Sequence, residues 1–275
     1  MKRKLFAVFF LLTGIMCRAG SEVPVIITAG QSNADGRVPI AELPSYIHYD
    51  YCLWSYGSGD FLKATGKFTE FWPTVGRTDI GPRWGFDAVV YYNLEQRWKR
   101  PFYVIKQTMG GTAIDTACTR STHGMFWSAD PEFVKSDKSL LRSLTRQIDA
   151  CLENLPEDYD IKFMLWHQGE GDMSQADRYY DNMKAVTAYI RQHLVEATGR
   201  SKYATLPIVC GTFAKNSRQG SPKVADALRR LAEEDENFHV VEAGDLSLQS
   251  DRIHFDALGA ETLGKRFFEK IMEII

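Results

Sequence analysis

A serine near the beginning of the chain and a histidine near its end are residue types that together perform acyl transfer. Ser32 stands in the sequence Gly30-Gln31-Ser32-Asn33, directly after an apolar run. A serine hydroxyl attacks a carbonyl group when a base accepts its proton. His254 could be that base, because Asp251 lies three residues earlier and could hold the imidazole in the required tautomer from the same short loop.

Both segments also have plain structural interpretations. Serine is a favoured N-cap, so Ser32 could simply begin a helix. Asp251 and His254 could be a loop residue and a surface residue ahead of the last helix. Neither motif alone identifies an enzyme.

Two adjacent glycines, Gly110 and Gly111, follow a second apolar run. Glycine lets the main chain approach a substrate closely and leaves an N–H group free to bind a negatively charged oxygen. The alternative interpretation is an ordinary turn.

A dense polar segment, residues 166–172, follows a third apolar run. The amide of Gln168 could donate to an oxyanion, and Glu170 could brace the site by accepting hydrogen bonds. Asp172 could cap the following helix. We expect His167 to be a hydrogen-bonded structural residue, because alternation along a strand points it away from Gln168.

The elements that position these segments alternate along the chain. Apolar runs typical of strands buried on both faces of a parallel sheet occupy residues 23–30, 101–111, 160–169, 206–212 and 238–244. Amphipathic helical patterns occupy residues 83–98, 138–155, 175–197, 221–235 and 256–274. The alternation predicts an α/β fold, a three-layer α/β/α sandwich with a mainly parallel five-stranded sheet. Residues 36–82 and 112–136 look irregular and follow strand ends, where α/β proteins build their sites.

Together these segments resemble the SGNH hydrolase superfamily, specifically its sialate O-acetylesterase-like branch and carbohydrate esterase family six. G-Q-S-N follows the first strand, paired glycines follow a middle strand, W-H-Q-G-E-x-D comes next, and D-x-x-H-F precedes the last helix. These marks span residues 25 to 270. The resemblance implies a flavodoxin-like fold and removal of acetyl groups from an acetylated oligo- or polysaccharide, without metal or cofactor.

The resemblance also assigns roles to single residues. It makes Ser32 the nucleophile, His254 the base and Asp251 the acid that orients it. The resemblance also implies three oxyanion donors: the N–H of Ser32, the N–H of one glycine of the Gly110-Gly111 pair, and the amide of Gln168. Of the two glycines, Gly111 is favoured.

Four further residues, expected to bind substrate or to brace the catalytic groups, are Gln31, Asn33, Gly110 and Glu170. The wider superfamily places an asparagine of a G-x-N-D block where this chain offers Gln168, since no such block occurs here. A structural Gln168, with Glu170 contacting substrate, is the alternative.

The natural ester stays open between acetylated xylan and acetylated sialic acid. Aromatic residues that could stack on sugar rings, or only pack the loops onto the core, are Trp54, Tyr56, Trp72, Trp84 and Trp127. Two other functions compete: a GDSL-type lipase or thioesterase, and a non-catalytic carbohydrate-binding protein on the same scaffold.

The first 19 residues have the pattern of a secretory signal peptide. Basic residues 2–4 precede an apolar stretch, residues 5–16, which is too short to span a bilayer comfortably. We therefore expect a secreted or periplasmic protein, with no stable membrane insertion after processing and one domain over residues 20–275. A lipoprotein anchor at Cys17 is the weaker alternative.

Charge and cysteine content bound the partners. The formal net charge is −2 and no basic run occurs, which argues against a nucleic-acid partner. Four cysteines follow residue 19, and export would permit disulfides among them, with the pairing left open.

Overall fold

The computed structural model of the protein describes residues 22–57, 65–73 and 81–275. The predicted signal peptide, residues 1–19, lies outside the described residues. None of the helices in the described part of the chain is long and apolar enough to cross a membrane.

Nine strands form within the described residues. In chain order they are β1 (Val23–Gly30), β2 (Val38–Pro39), β3 (Cys52–Gly57), β4 (Thr69–Glu70), β5 (Arg83–Trp84), β6 (Phe102–Thr108), β7 (Tyr159–His167), β8 (Ile208–Gly211) and β9 (Phe238–Val241). Seven of them make one sheet in the order β4-β3-β6-β1-β7-β8-β9, and β2 pairs with β5 in a separate antiparallel ribbon.

Seven α-helices accompany them in the same described ranges. They are α1 (Ser32–Asp35), α2 (Phe86–Trp98), α3 (Pro131–Val134), α4 (Leu140–Leu152), α5 (Tyr179–Thr198), α6 (Pro222–Glu234) and α7 (Ala257–Met272). The N-cap of α7 is Asp256, whose carboxylate accepts the N–H of Gly259 at 2.8 Å. Residues 170–178, expected partly in a helix, form a 3₁₀ turn ahead of α5.

The five predicted strands correspond to β1, β6, β7, β8 and β9. They lie side by side in the order β6-β1-β7-β8-β9, all parallel, which is the flavodoxin-like order. The predicted fold class is confirmed.

The predicted number of strands was wrong, because β3 and β4 add two more at the β6 edge. Both fall within residues 36–82, which looked irregular. The reason is local: β3 has the sequence Cys-Leu-Trp-Ser-Tyr-Gly, with four of its six residues only half-buried, and β4 is two residues long. Neither segment carries the continuous apolar run that marks a central strand.

Two apolar layers sandwich the sheet. Val25 and Ile27 of β1 face one core, which is closed by α4, α5 and α6. Ile26 faces the other, which is closed by α2 and α7. This alternation confirms the three-layer sandwich. The buried cysteines are free thiols: Cys52, Cys118, Cys151 and Cys210.

The position of β1 decides where a site can form. Its parallel neighbours are β6 on one side and β7 on the other. The loops after β1, β6 and β7 therefore meet at the carboxyl edge of the sheet, where open α/β sheets bind their ligands.

Candidate active site

The turn that carries Ser32 is possible because β1 ends in glycine. Gly30 has a φ of +141°, and a Cβ there would lie 2.2 Å from the carbonyl oxygen of His167. The absence of a side chain lets the ends of β1 and β7 pass closely. The N–H of Gln31 then donates to the same oxygen of His167 at 2.9 Å, which fixes the start of α1.

Ser32 is the first residue of α1 rather than its N-cap, which is Gln31. The hydroxyl of Ser32 is therefore not used for capping. Within the described residues, neither that hydroxyl nor the main-chain N–H of Ser32 has a hydrogen-bond partner. Both the hydroxyl and the N–H of Ser32 are therefore available to a ligand.

His254 and Asp251 form a close pair in one loop. The Nδ1 of His254 donates to Asp251 Oδ2 at 2.6 Å, and Asp251 Oδ1 accepts the N–H groups of Ile253 and His254 at 2.8 and 3.1 Å. With Nδ1 engaged in this way, Nε2 is the nitrogen left to accept a proton.

The electrostatics of this pair favour a neutral imidazole beside a charged carboxylate. Burial acts to raise the pKa of Asp251, but hydrogen bonds from His254 and Ile253 outweigh it, so the pKa lies below its usual value. Burial lowers the pKa of His254; Asp251 opposes this, and the charge of Arg37 adds to it. His254 therefore has the protonation state of a general base at neutral pH.

Asn33 ties the serine turn to the histidine loop. Its Nδ2 donates to Ile253 O at 3.3 Å, and its Oδ1 accepts the N–H of Phe255 at 3.2 Å. Ile253 and Phe255 stand on either side of His254. The structure thus places the residue after Ser32 in direct contact with both neighbours of the predicted base.

The predicted glycine pair lies against the same turn. A Cβ at Gly110 would approach the Cβ of Ser32 to 3.3 Å, and Gly111 adopts a φ of +70°. The carbonyl of Gly111 is held by the N–H and hydroxyl of Thr122, at 2.8 and 3.0 Å. No acceptor within the described residues takes the N–H of either glycine, so both remain available as donors.

Gln168 is fully buried and already bonded. Its Nε2 donates to Asp172 Oδ2 at 2.6 Å and to Thr112 O at 3.0 Å, while Tyr179 donates to its Oε1 at 3.1 Å. Since an amide has two N–H hydrogens, both have protein acceptors. This geometry favours the structural alternative for Gln168, and its oxyanion role stays a prediction.

Asp172 does not cap the following helix, as its position had suggested. Its carboxylate instead accepts the N–H groups of Ile114 and Asp115 at 2.9 Å each. Gln31 makes a similar link, because its Oε1 accepts the N–H of Gly171 at 3.0 Å. Together these bonds hold the loops after β1, β6 and β7 to one another.

Glu170 lies beneath Asn33 rather than at the surface. Its Oε1 accepts Asn33 Nδ2 at 2.8 Å, and its Oε2 is buried with no partner within the described residues. Burial raises the pKa of Glu170 to about 7. Glu170 therefore accepts a hydrogen bond from Asn33, and its role at the site stays a prediction.

Comparison with known families identifies the family of the chain. The sequence model of the family described as "Carbohydrate esterase, sialic acid-specific acetylesterase" matches residues 22–273. The chain belongs to this carbohydrate esterase family. The predicted resemblance is confirmed, and the protein is a carboxylic ester hydrolase acting on acetylated carbohydrate.

Solved structures share the fold of this esterase. A protein from Arabidopsis thaliana is 20% identical with a TM-score of 0.70, over 92% of the esterase and 98% of that protein. NanS is 14% identical with a TM-score of 0.65, over 92% and 97% of the two chains. No curated protein matches the esterase.

A carbohydrate acetylesterase from Xanthomonas citri is also similar. It is 18% identical with a TM-score of 0.60, over 91% of the esterase and 56% of the Xanthomonas chain. The esterase therefore spans little more than half of that protein. At such identities these likenesses establish the fold.

Sequence reasoning missed Arg37, which borders the site of the esterase. Its Nη1 donates to Asp35 Oδ2 at 2.6 Å and to Gly36 O at 2.7 Å. An aspartate and an arginine two residues apart, beginning one residue after the G-Q-S-N segment, were a usable signal. They stood at the border of the segment that looked irregular, so no role was assigned to them.

His167 departs from its predicted environment. Both of its ring nitrogens are buried without a hydrogen-bond partner in the described part of the chain, and its ring lies among those of Phe86, Phe213 and Phe255. The expectation of a hydrogen-bonded histidine was wrong, because an aromatic cage surrounds the imidazole. Burial lowers its pKa to about 3, so it stays neutral.

The aromatic residues considered for sugar stacking differ in how far their side chains are exposed to solvent. Trp84 and Trp127 are buried in the cores, and Trp54 stacks on Tyr56 with ring centroids 4.9 Å apart. Trp72 is 52% exposed. Among the five, Trp72 alone offers a largely open ring.

Proposed function

We propose that this esterase cleaves O-acetyl groups from sugars by a Ser-His-Asp mechanism, with Ser32 as nucleophile, His254 as base and Asp251 as its orienting acid. The observation that carries the proposal is the contact of Asn33 with both neighbours of His254. That contact brings a base already paired with a carboxylate to the turn of an unengaged serine.

In the first half of the reaction, the Oγ of Ser32 forms a bond to the acetyl carbonyl carbon while its proton passes to His254 Nε2. The carbonyl π bond opens and leaves negative charge on oxygen. The carbon–oxygen bond to the sugar then breaks, and the sugar oxygen takes the proton from His254. Water repeats these steps on the acetyl-enzyme and releases acetate.

The developing negative charge needs donors that are already in place. The N–H groups of Ser32 and of the adjacent glycine pair meet that need, since none has an acceptor within the described residues. We propose Gly111 as the glycine donor, with Gly110 forming the wall against Ser32.

Asn33 and Glu170 position the base in this mechanism. The carboxylate of Glu170 takes one N–H of Asn33, which directs the amide oxygen towards the N–H of Phe255. The histidine loop is then held by side-chain bonds as well as by its own turn.

The substrate of the proposed reaction is an acetylated sugar of the sialic acid or xylan type. The family description names sialic acid, and the open ring of Trp72 suits a sugar face. Acetate release from a panel of acetylated sialosides and acetylated xylans separates the two. A preference for octanoyl over acetyl esters would instead indicate a lipase.

Export completes the proposal. We propose that residues 1–19 are a cleaved signal peptide and that residues 20–275 form one domain. Sequencing the amino terminus of protein recovered from outside the cytoplasm tests this: a start at residue 20 supports it, and a start at Met1 contradicts it.

One experiment tests the catalytic assignment. A serine-reactive phosphonate should label the protein once, at Ser32, and the label should block acetate release. Ser32→Ala should bind no label and lose turnover while unfolding at the same temperature. A Ser32→Ala variant that hydrolyses p-nitrophenyl acetate at the original rate would refute the mechanism.

A further inference from the structure

Arg37 is held rigidly at the end of the serine turn. Its side chain is 12% exposed, and Nη1 bonds both Asp35 and the carbonyl of Gly36. Asp35 has partners of its own, because Tyr56 and Thr108 donate to its Oδ1 at 2.6 and 2.7 Å. Burial acts to raise the pKa of Asp35, but Arg37 and these hydroxyl groups outweigh it, so the carboxylate stays charged.

The free end of the guanidinium lies beside the nucleophile. A Cβ at Gly110 would lie 2.2 Å from Arg37 Nη2 and 3.3 Å from Ser32 Cβ, so both groups border one small volume over Gly110. Within the described residues, Nη2 and Nε of Arg37 have no acceptor. An anchored arginine thus presents unused donors next to Ser32.

In the proposed mechanism, negative charge develops next to Ser32 and the glycine pair, which border this same volume. The amide of Gln168, the predicted third donor, has both hydrogens engaged elsewhere. A guanidinium is always charged, and a charge-assisted hydrogen bond is roughly twice as strong as a neutral one.

We propose that Arg37 is a further catalytic residue, which donates a charged hydrogen bond to the oxyanion formed when Ser32 attacks the acetyl group. This rests on the proposed function. As the Ser32 oxygen bonds to carbon, the carbonyl π electrons move to oxygen, and Arg37 stabilises that charge without giving up a proton. Gly110 is required because a side chain there would displace the guanidinium.

The test compares Arg37→Gln and Arg37→Lys with a matched control, Arg191→Gln. Arg191 is also 12% exposed, bonds Asp235 through Nη1 at 2.5 Å, and donates to main-chain carbonyl groups. It lies at the opposite edge of the sheet, where β8 and β9 begin. The control therefore reproduces, away from Ser32, the loss of an arginine that is 12% exposed and paired with an aspartate.

With p-nitrophenyl acetate, Arg37→Gln should lower kcat by about a hundredfold and change KM little, as loss of one oxyanion donor does. Arg37→Lys should keep more of the rate, because the charge remains. Arg191→Gln should lose thermal stability to a similar degree and keep its kcat. The proposal would be overturned if Arg37→Gln kept its kcat or changed only its KM. It would also be overturned if Arg191→Gln lost as much kcat as Arg37→Gln.

The pH dependence of kcat/KM distinguishes the two roles, because it would not change if Arg37 had only a structural role. Two charged groups act on His254: Asp251 raises its pKa and Arg37 lowers it. The carboxyl group of Glu170 is bonded to Asn33, which lies between Glu170 and the histidine loop. Removing Arg37 should shift the acid limb of kcat/KM to higher pH. An acid limb that stays in place would contradict the contact with the site.

Gly110→Ala provides a second route if Arg37→Gln does not fold. The φ of Gly110 is not in the left-handed region, so alanine keeps the main chain and its N–H while its methyl group displaces Nη2. This variant should reproduce the kcat loss with Arg37 intact, and full activity would count against the proposal. Ser32→Ala is assayed in parallel: turnover in that variant would refute the Ser-His-Asp mechanism instead.

Discussion

Asn33 accepts the main-chain N–H of Phe255 at 3.2 Å and so joins α1 to the loop before α7. This bond, with those of the Asn33 amide to Ile253 and Glu170, sets the position of His254. The position of the proposed base therefore depends on the residue that follows the proposed nucleophile.

Replacing Asn33 by alanine should lower kcat by about tenfold or more while KM changes little, because the base loses its alignment rather than its charge. Asn33→Asp is the matched variant: it keeps the acceptor for Phe255 but puts a second carboxylate against Glu170. Steady-state kinetics on p-nitrophenyl acetate checks both. An unchanged kcat in Asn33→Ala would show that the loop with His254 keeps its position without the hydrogen bonds of Asn33.

Gln168→Ala should act mainly on stability, since the amide is bonded to Asp172 and Thr112. We expect a loss of about 2–4 kcal/mol in the free energy of unfolding, because buried partners lose their bonds. Urea unfolding measures it, and Gln147→Ala, which removes a buried amide bonded to Ser55, is the control. A hundredfold fall in kcat at unchanged stability would restore Gln168 as an oxyanion donor.

Glu170→Gln should stabilise the protein at pH 8. Burial raises the pKa of Glu170 from 4.5 to about 7, so the stability that its protonated form contributes is present below pH 4.5 and is lost as the pH rises through 7. At about 1.4 kcal/mol per pKa unit, the gain at pH 8 is a few kcal/mol. Unfolding free energies at pH 5 and pH 8 test this, and an equal effect at both would contradict the buried, raised carboxyl group.

His167→Phe should make the protein less sensitive to acid. The pKa of His167 is lowered from 6.5 to about 3, so its contribution to stability is complete above pH 6.5 and is lost as the pH falls towards 3. The original protein should lose about 1.4 kcal/mol per pH unit there through this one group. Urea unfolding at several pH values measures the slope; His123→Asn, at an exposed histidine, should leave it unchanged.

The sequence predicted the parts of the fold that repeat a physical pattern. Buried parallel strands need continuous apolar runs, so β1, β6, β7, β8 and β9 were visible, as were helices with an apolar stripe. In contrast, β3 is half-buried near the sheet edge, and only its Cys52 and Ser55, three positions apart, are buried. It therefore has neither a continuous apolar run nor an alternation of buried and exposed residues. Such a strand is recognised only by the neighbour with which it pairs.

The sequence likewise predicted some features of the candidate site and not others. The hydrogen bond between Asp251 and His254 could be predicted, because residues three apart in one short loop are close neighbours. Hydrogen-bond partners in different loops could not, because they depend on three loops meeting. Gln168 looked like a free donor in the sequence, yet Asp172 and Thr112 take both of its hydrogens. Arg37 was missed for the converse reason: its proximity to Ser32 depends on Gly110, which is 73 positions further along the chain.

The link from Asn33 to Phe255 also orders events during synthesis. In the proposed mechanism, a nascent polypeptide that has emerged only as far as β9 contains Ser32 and the paired glycines but lacks Asp251 and His254. Hydrolysis by that mechanism can begin only after the segment before α7 has folded back onto α1. The order of the residues along the chain would then keep a nascent esterase inactive until this late contact forms.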